Sequence, residues 1–216
     1  MNLAIALNQG PVPPRTDTVA VAPCFSWYSP CDPQRVAVEL FIQQVYERRF
    51  GARVQHFAPQ LVCLRDRVSG EIVAAAGYRQ ASEGPLFLER YLARPVELCL
   101  AQPDGPIPVR TGIFEVGHLA ADRAGEGRRL IFRLAQHLAE REAQWVVSTL
   151  TEELRHLFVR LGITPQALGR ADPGVLGDEA GEWGSYYEHH PVVLAGQLQQ
   201  ALRLFQRRGV VQEGRL

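Results

Sequence analysis

The sequence contains no lysine, so every one of its 23 Lys-plus-Arg positions is arginine. A Schiff-base lysine or a lysine general base is thereby excluded. Nor is there an excess of either charge: 23 acidic residues balance the arginines, for a formal net charge of zero. Nucleic acid is therefore not an expected partner, because its phosphates call for a basic surplus. Polybasic attraction to an anionic membrane is missing for the same reason. Long apolar runs are also lacking, and no stretch approaches the roughly 20 apolar residues of a membrane helix. Leu3 to Leu7 is too short for the apolar core of a signal peptide and has no positive residue before it, so a cytoplasmic location is expected. Cysteine is sparse. Cys24, Cys31, Cys63 and Cys99 form no CxxC and have no histidine cluster at zinc spacing, so no metal is expected. Cys24 and Cys31 are near enough in sequence to be weighed as a disulfide, but free thiols in a reducing compartment are the expectation.

What is present suits one soluble domain. Hydrophobic residues make up 46% of the chain and charged residues 21%, enough for a substantial core at this length. Residues 1–31 read as a Pro-rich N-terminal arm with one short strand at Val19–Ala22. Residues 32–191 read as the main domain, and residues 192–216 as a C-terminal helix and tail packed on it. Asp32-Pro33 is a good helix opening, and Val36, Leu40, Phe41, Val45 and Phe50 follow at helical spacing until Gly51. Gln60–Arg65 and Glu71–Tyr78 flank a turn at Val68-Ser69-Gly70 and read as an antiparallel hairpin. Leu86–Ala93 is expected to be a short helix, and Val96–Leu100 a strand.

The most informative stretch follows. Thr111–Ala121 reads as a strand, Asp122 to Gly127 as a turn, and Arg128 to Glu142 as an amphipathic helix carrying Leu130, Ile131, Leu134, Ala135 and Leu138. Trp145–Leu150 is a strand, and Thr151 caps a helix from Glu152 to Leu161. Ile163–Leu168 and Glu182–Glu188 are expected as strands, and Val192–Arg208 as the terminal helix. The strand-turn-helix-strand order implies two parallel strands joined by a right-handed crossover. With the preceding hairpin it predicts an α/β fold with a mixed sheet and helices on both faces.

That order resembles the core of the GNAT (Gcn5-related N-acetyltransferase) superfamily, whose central strand runs into a pyrophosphate-binding turn before a helix. Gly125-Glu126-Gly127 fits the second half of that turn. Glycines admit a phosphate to the backbone, and the start of the helix attracts its charge. Arg128 and Arg129 add cations in the first helical turn. Two departures stand out. Asp122 is found where the resemblance implies Arg or Gln, and Phe158 is found where it implies the Tyr that protonates a leaving thiolate.

A second resemblance covers most of the chain. FIQQVYERRFGARVQHFAPQLVCLRD (Phe41–Asp66), LFLERYLARPVE (Leu86–Glu97), EVGHLAA (Glu115–Ala121) and WGSYYEHHPVV (Trp183–Val193) resemble the thermostable hemolysin family. The fold this implies is GNAT-like and similar to acyl-homoserine-lactone synthases. The family name implies lysis of red cells, whereas the synthase-like fold implies transfer of a fatty acyl group from acyl-CoA or an acyl carrier protein to a small-molecule amine or amino acid; direct action on lipid bilayers and non-catalytic binding of an acyl thioester are the alternatives. Glu115 matches the strand glutamate that assists amine deprotonation.

Each candidate has a plainer alternative. Glu115, in an apolar strand, is a general base or a carboxylate paired with an arginine. By strand alternation His118 faces away from Glu115, unless a bulge brings the two together. Leu119, Ala120 and Ala121 would hold pantetheine by strand-like hydrogen bonds. Gly125, Glu126, Gly127, Arg128 and Arg129 are a phosphate cradle or simply a tight turn. Tyr186 lies in a polar-aromatic cluster with Tyr187, His189 and His190, and either supplies the missing acid or belongs to a half-buried strand. The terminal helix packs against the core or a second copy of the chain, or lies on a membrane surface.

Overall fold

The computed structural model describes residues 23–103 and 105–207. The expected strand at Val19–Ala22 and the tail beyond residue 207 lie outside the described residues. In chain order the elements are β1 (Cys24–Tyr28), α1 (Arg35–Phe50), β2 (Gln60–Arg65), β3 (Ile72–Gln80), α2 (Val96–Leu100), β4 (Ile113–Ala121), α3 (Glu126–Ala139), β5 (Trp145–Leu150), α4 (Glu152–Arg160), β6 (Gln166–Arg170), β7 (Val192–Gln197) and α5 (Leu198–Arg207). The strands form one sheet in the order β1-β2-β3-β4-β5-β7-β6. β4 and β5 are parallel, and the remaining neighbours are antiparallel.

The β2–β3 hairpin, β4, β5 and the crossover through α3 follow the sequence pattern. Elsewhere the structure corrects it. Cys24–Tyr28, read as part of an irregular arm, is a strand paired along its length with β2. Val96–Leu100 is a helix and not a strand. A five-residue apolar run fits either state by period, and Pro95 ahead of it favours a helix start. Leu86–Ala93 shortens to a 3₁₀ turn over Phe87–Tyr91. Glu182–Glu188 is not a strand but part of two successive 3₁₀ segments separated at Gly184. The first six residues of the expected terminal helix are β7, whose paired valines insert between β5 and β6. The strand expected at Ile163–Leu168 is displaced to Gln166–Arg170.

α1 begins at Arg35, after a turn in which Asp32 Oδ1 accepts the Gln34 N–H at 2.8 Å. It ends at Gly51, which is left-handed at φ +64°. Its buried stripe is Val38, Ile42, Val45, Tyr46 and Phe50, whereas Val36 and Leu40 are 57% and 50% exposed. Apolar residues surround this helix, so period alone does not choose the face.

The core has a layer on each side of the central strands. One side joins α1 to Leu61, Cys63, Ala75 and Ala120. On the other, α3 and α5 cover Val62, Tyr78, Phe114 and Val116. Phe205 of α5 is 1% exposed and packs edge-on against Phe132, with ring centroids 5.6 Å apart. Ala201, Leu202 and Leu204 of α5 also pack against this core. No helix among the described residues is long and apolar enough to cross a membrane.

Candidate functional site

The site is built on an irregularity in β4. Gly77 of β3 stands opposite Gly117, and Ala75 opposite Ala120. Ala76 therefore faces two residues, His118 and Leu119, which is a β-bulge. His118 adopts φ +53° at the bulge, a conformation costly for a side chain with a Cβ. Already before the bulge, β4 leaves its parallel partner. Ile113–Glu115 pair with Trp145–Val147, but the recorded pairing stops there although both strands continue. At the apex of the resulting wedge, the Ser148 hydroxyl donates to the Val116 carbonyl at 2.7 Å.

Two cavities meet at this wedge from opposite faces of the sheet. On the α1 face, a cavity of about 140 Å³ is lined by Glu115, His118, Tyr46, Thr149, Trp183 and Tyr186, among others. On the face covered by α3 and α5, a cavity of about 90 Å³ is walled by Ile131, Leu134, Phe158, Ile163, Leu194 and Phe205. Val116 and Leu119 border both. The first cavity sets charged and polar side chains among aromatic and apolar ones, and the second is almost wholly apolar.

Glu115 is the acid at the junction. Its side chain is 12% exposed. Oε2 accepts the Phe87 N–H at 2.8 Å and Oε1 the Leu88 N–H at 2.9 Å. Arg79, its cross-strand neighbour, approaches Oε2 to 3.9 Å. Burial pushes the carboxyl pKa up, and the two N–H groups and Arg79 partly oppose it. Each oxygen keeps one lone pair beyond these bonds. Glu115 thus fastens the 3₁₀ turn and retains capacity to take a proton.

His118 lines the same cavity as Glu115 but bonds elsewhere. Its Nε2 lies 3.1 Å from the His56 carbonyl, which fixes the proton on Nε2. Nδ1 is sealed from solvent with no hydrogen-bond partner among the described residues. It sits over Gly77, where a Cβ would come within 3.1 Å of it. Burial holds the ring's pKa down to about 4. His137, buried beneath Tyr78, is held down to about 4 by burial and then by Arg141. Both rings stay neutral while unfolded histidines take a proton near 6.5. Unfolding free energy is therefore expected to fall as pH drops from 6.5 toward 4, because in that window only the unfolded chain gains these protons. Chemical denaturation across that range checks it. The double variant His118→Gln/His137→Gln is expected to show a shallower slope, and an unchanged slope contradicts the assignment.

Tyr186 is 8% exposed, and its hydroxyl donates to the Thr149 carbonyl at 3.2 Å. Burial raises its pKa well above the ordinary value. It keeps its proton and anchors β5 at the wedge. It stacks on Tyr46 and packs against Trp183.

Ala120 is buried, while Leu119 and Ala121 are half-buried at the end of β4. α3 starts at Glu126, two residues before the expected Arg128. Gly125 is its N-cap at φ +88°, whereas a Cβ on Gly127 would meet only Ala121, at 3.5 Å. Gly125→Ala is expected to cost about 1–2 kcal/mol from the left-handed backbone, and Gly127→Ala to be nearly neutral. Thermal melts of the two variants check this, and equal losses would contradict it. Asp122 is drawn away to Arg48 of α1, at 2.5 Å. Glu126 pairs with Arg129 at 2.9 Å, and Arg128 is exposed in the first helical turn.

Several lining residues were not legible as site residues. Arg79 lies just past the expected strand Glu71–Tyr78, and only its register with Glu115 places it here. Tyr91 is another, its hydroxyl 2.6 Å from that of Tyr187, which the sequence did place in the aromatic cluster. The segment 53–58 forms another wall, its carbonyls held by Gln43, His118 and Arg35. All four cysteines are free thiols. Among the described residues, no group of three His, Cys, Asp or Glu side chains is placed to hold a metal.

A mixed seven-stranded sheet with a bulged, splayed central pair is the GNAT-like fold, and solved structures agree. FeeM, an N-acyl amino acid synthase from uncultured soil microbes, matches with TM-score 0.57 at 14% identity, over 83% of this chain and 93% of that one. The AHL synthase LasI matches with TM-score 0.56 at 15% identity, over 84% and 95%. BjaI, a CoA-dependent acyl-homoserine lactone synthase solved with SAM and isopentyl-CoA, matches with TM-score 0.53 at 13% identity, over 87% and 90%. A search of curated proteins finds no match in sequence. The thermostable hemolysin family model matches residues 28–202, and the chain belongs to that family.

Proposed function

We propose that this chain is an N-acyltransferase that moves a fatty acyl group from a phosphopantetheine thioester to a small amine. The observation that carries the reading is the meeting of two unlike cavities at the β4–β5 wedge. An acyl chain suits the apolar chamber beneath α3 and α5. An amine suits the polar one, where Glu115 lies. The donor is acyl-CoA or an acyl carrier protein, found in the cytoplasm. Its pantetheine lies along Leu119–Ala121, and its phosphate at Gly125–Gly127 beside Arg128. The turn of Asp122 toward Arg48 removes a repulsive charge from that route. Glu115, raised by burial, accepts the proton released by the attacking amine. The fold shared with acyl-homoserine lactone and N-acyl amino acid synthases supports the class of reaction, and an amino acid is a fitting acceptor.

On this reading hemolysis follows from the product, since an N-acyl amine is a surfactant. Burial of the apolar face of α5 favours this over direct membrane attack. The test is lipid mass spectrometry of a bacterial host expressing the chain or its Glu115→Gln variant. A new N-acyl species found only with the unmodified chain is expected. Leakage of liposomes by purified, lipid-free protein without any acyl donor would count against it.

A further inference from the structure

The wedge contains a hydroxyl that no described residue uses. Thr149 lies on β5 two residues beyond Val147, the partner of Glu115, and so on the same face of the sheet. It lines the polar cavity at the level where β4 and β5 no longer pair. Its Oγ1 is buried and has no hydrogen-bond partner among the described residues. Its own carbonyl is pinned by the Tyr186 hydroxyl, which fixes the backbone carrying it. The neighbouring Ser148, on the opposite face, satisfies its hydroxyl on Val116. Across the wedge Gly117 lines the same cavity, and a Cβ built there would meet nothing within 4 Å. A rigidly held donor with no acceptor among the described residues therefore stands where β4 and β5 separate. A buried hydroxyl left unpaired costs about 1–3 kcal/mol, so its persistence calls for a ligand.

We propose that Thr149 is a catalytic residue, its Oγ–H donating to the carbonyl oxygen of the acyl group as that group is transferred. This rests on the acyltransferase reading and adds a group to it. A thioester threaded through the wedge presents one strong acceptor, its carbonyl oxygen, because sulfur accepts weakly. During transfer the amine nitrogen bonds to the carbonyl carbon while the carbonyl electrons move onto oxygen. The C–S bond then breaks with its electron pair leaving on sulfur, Glu115 receives the amine proton, and solvent protonates the thiolate. Thr149 stabilises the charge on oxygen in between, where a fixed donor acts most strongly.

The test uses the full chain and octanoyl-CoA labelled at the carbonyl carbon, observed by infrared difference spectroscopy. The bound carbonyl band is expected to shift to lower frequency in the wild type and in Thr149→Ser. In Thr149→Val the shift is lost while octanoyl-CoA still binds. Where turnover is measured, kcat of Thr149→Val is expected to fall on the order of 10²-fold with KM little changed, and Ser restores most of it. Since the hydroxyl has no partner among the described residues, the melting temperature of ligand-free Thr149→Val is expected to equal or exceed that of wild type. An unshifted band in wild type, or one equally shifted in Thr149→Val, overturns the proposal and leaves the acyltransferase reading standing. A melting temperature several degrees lower in Thr149→Val also overturns it, because the hydroxyl would then serve the fold. Failure of the wild type to bind either octanoyl-CoA or octanoyl carrier protein removes the thioester reading and this proposal with it.

Discussion

Glu115→Gln is expected to cut acyl-transfer turnover by about 10²–10⁴-fold while leaving donor affinity nearly unchanged. The substitution keeps the shape of the side chain and removes its ability to take a proton. It also has a structural cost that must be separated from the chemical one. Both carboxylate oxygens accept backbone N–H groups, from Phe87 and Leu88. A glutamine amide satisfies one of these and turns its own N–H₂ toward the other. One orphaned donor costs about 1–3 kcal/mol, a loss of several degrees in melting temperature for a chain this size. Assays well below the melting temperature of the variant keep the two effects apart. The pH profile separates them further. Burial raises the Glu115 pKa, so wild-type activity is expected to rise with pH along a limb centred above the ordinary glutamate value. That limb disappears in Glu115→Gln. The same elevation acts oppositely on stability. Between the ordinary and raised values the folded chain keeps a proton that the unfolded chain releases, so Glu115 contributes less stability as pH rises through that window. A Glu115→Gln enzyme with wild-type kcat would reduce Glu115 to a fastener of the Phe87 turn.

Gly184→Ala is expected to be the most damaging single methyl addition near the site. Gly184 sits at φ +53° and ψ −130°, and a Cβ there would lie 2.0 Å from the Phe50 carbonyl oxygen and 2.9 Å from the Gly51 carbonyl carbon. Both obstacles are backbone at the end of α1, which also accepts the Ser185 N–H at 2.8 Å on the Phe50 oxygen. Strain and overlap together are expected to cost about 3–5 kcal/mol, or about 6–20 °C in melting temperature. The neighbouring Gly181 has open space around its Cβ position, so Gly181→Ala is expected to melt close to wild type. The damage reaches the site directly. Trp183, Tyr186 and Tyr187 flank Gly184 and build the aromatic wall of the polar cavity. Loss of near-ultraviolet circular dichroism should therefore accompany the loss of stability in Gly184→Ala. A stable variant with an unchanged spectrum would mean that this segment is seated differently.

The sequence was most legible where local pattern and tertiary role coincide. β4, its glycine turn, α3 and β5 carry unambiguous periods, and the parallel crossover follows from them. The bulge that the fold resemblance made available at His118 is present, but the bonds of His118 to His56 and its seat on Gly77 depend on residues far off in sequence. β7 was read as helix because the strong stripe of α5 extends backward into Val192–Gln197, and only the open edges of β5 and β6 decide for strand. Tyr186 and Tyr187 were visible in a polar-aromatic cluster with His189 and His190, whereas the neighbouring Trp183 was not assigned to it. Their 3₁₀ path depends on Gly184 fitting against Phe50. Thr149 looked like any strand threonine, since an unpaired hydroxyl is a property of the assembled wedge and not of a residue type.

The most direct measurement incubates the purified full chain with octanoyl-CoA, or separately with octanoyl carrier protein, and a mixture of amino acids and simple amines. Liquid chromatography with mass spectrometry then follows any N-octanoyl product alongside free thiol. The expected result is one or a few N-octanoyl amines formed in step with thiol release, and lost in Glu115→Gln. A folded chain that binds neither donor and forms no such product would contradict the assignment of the wedge as an acyl-transfer site.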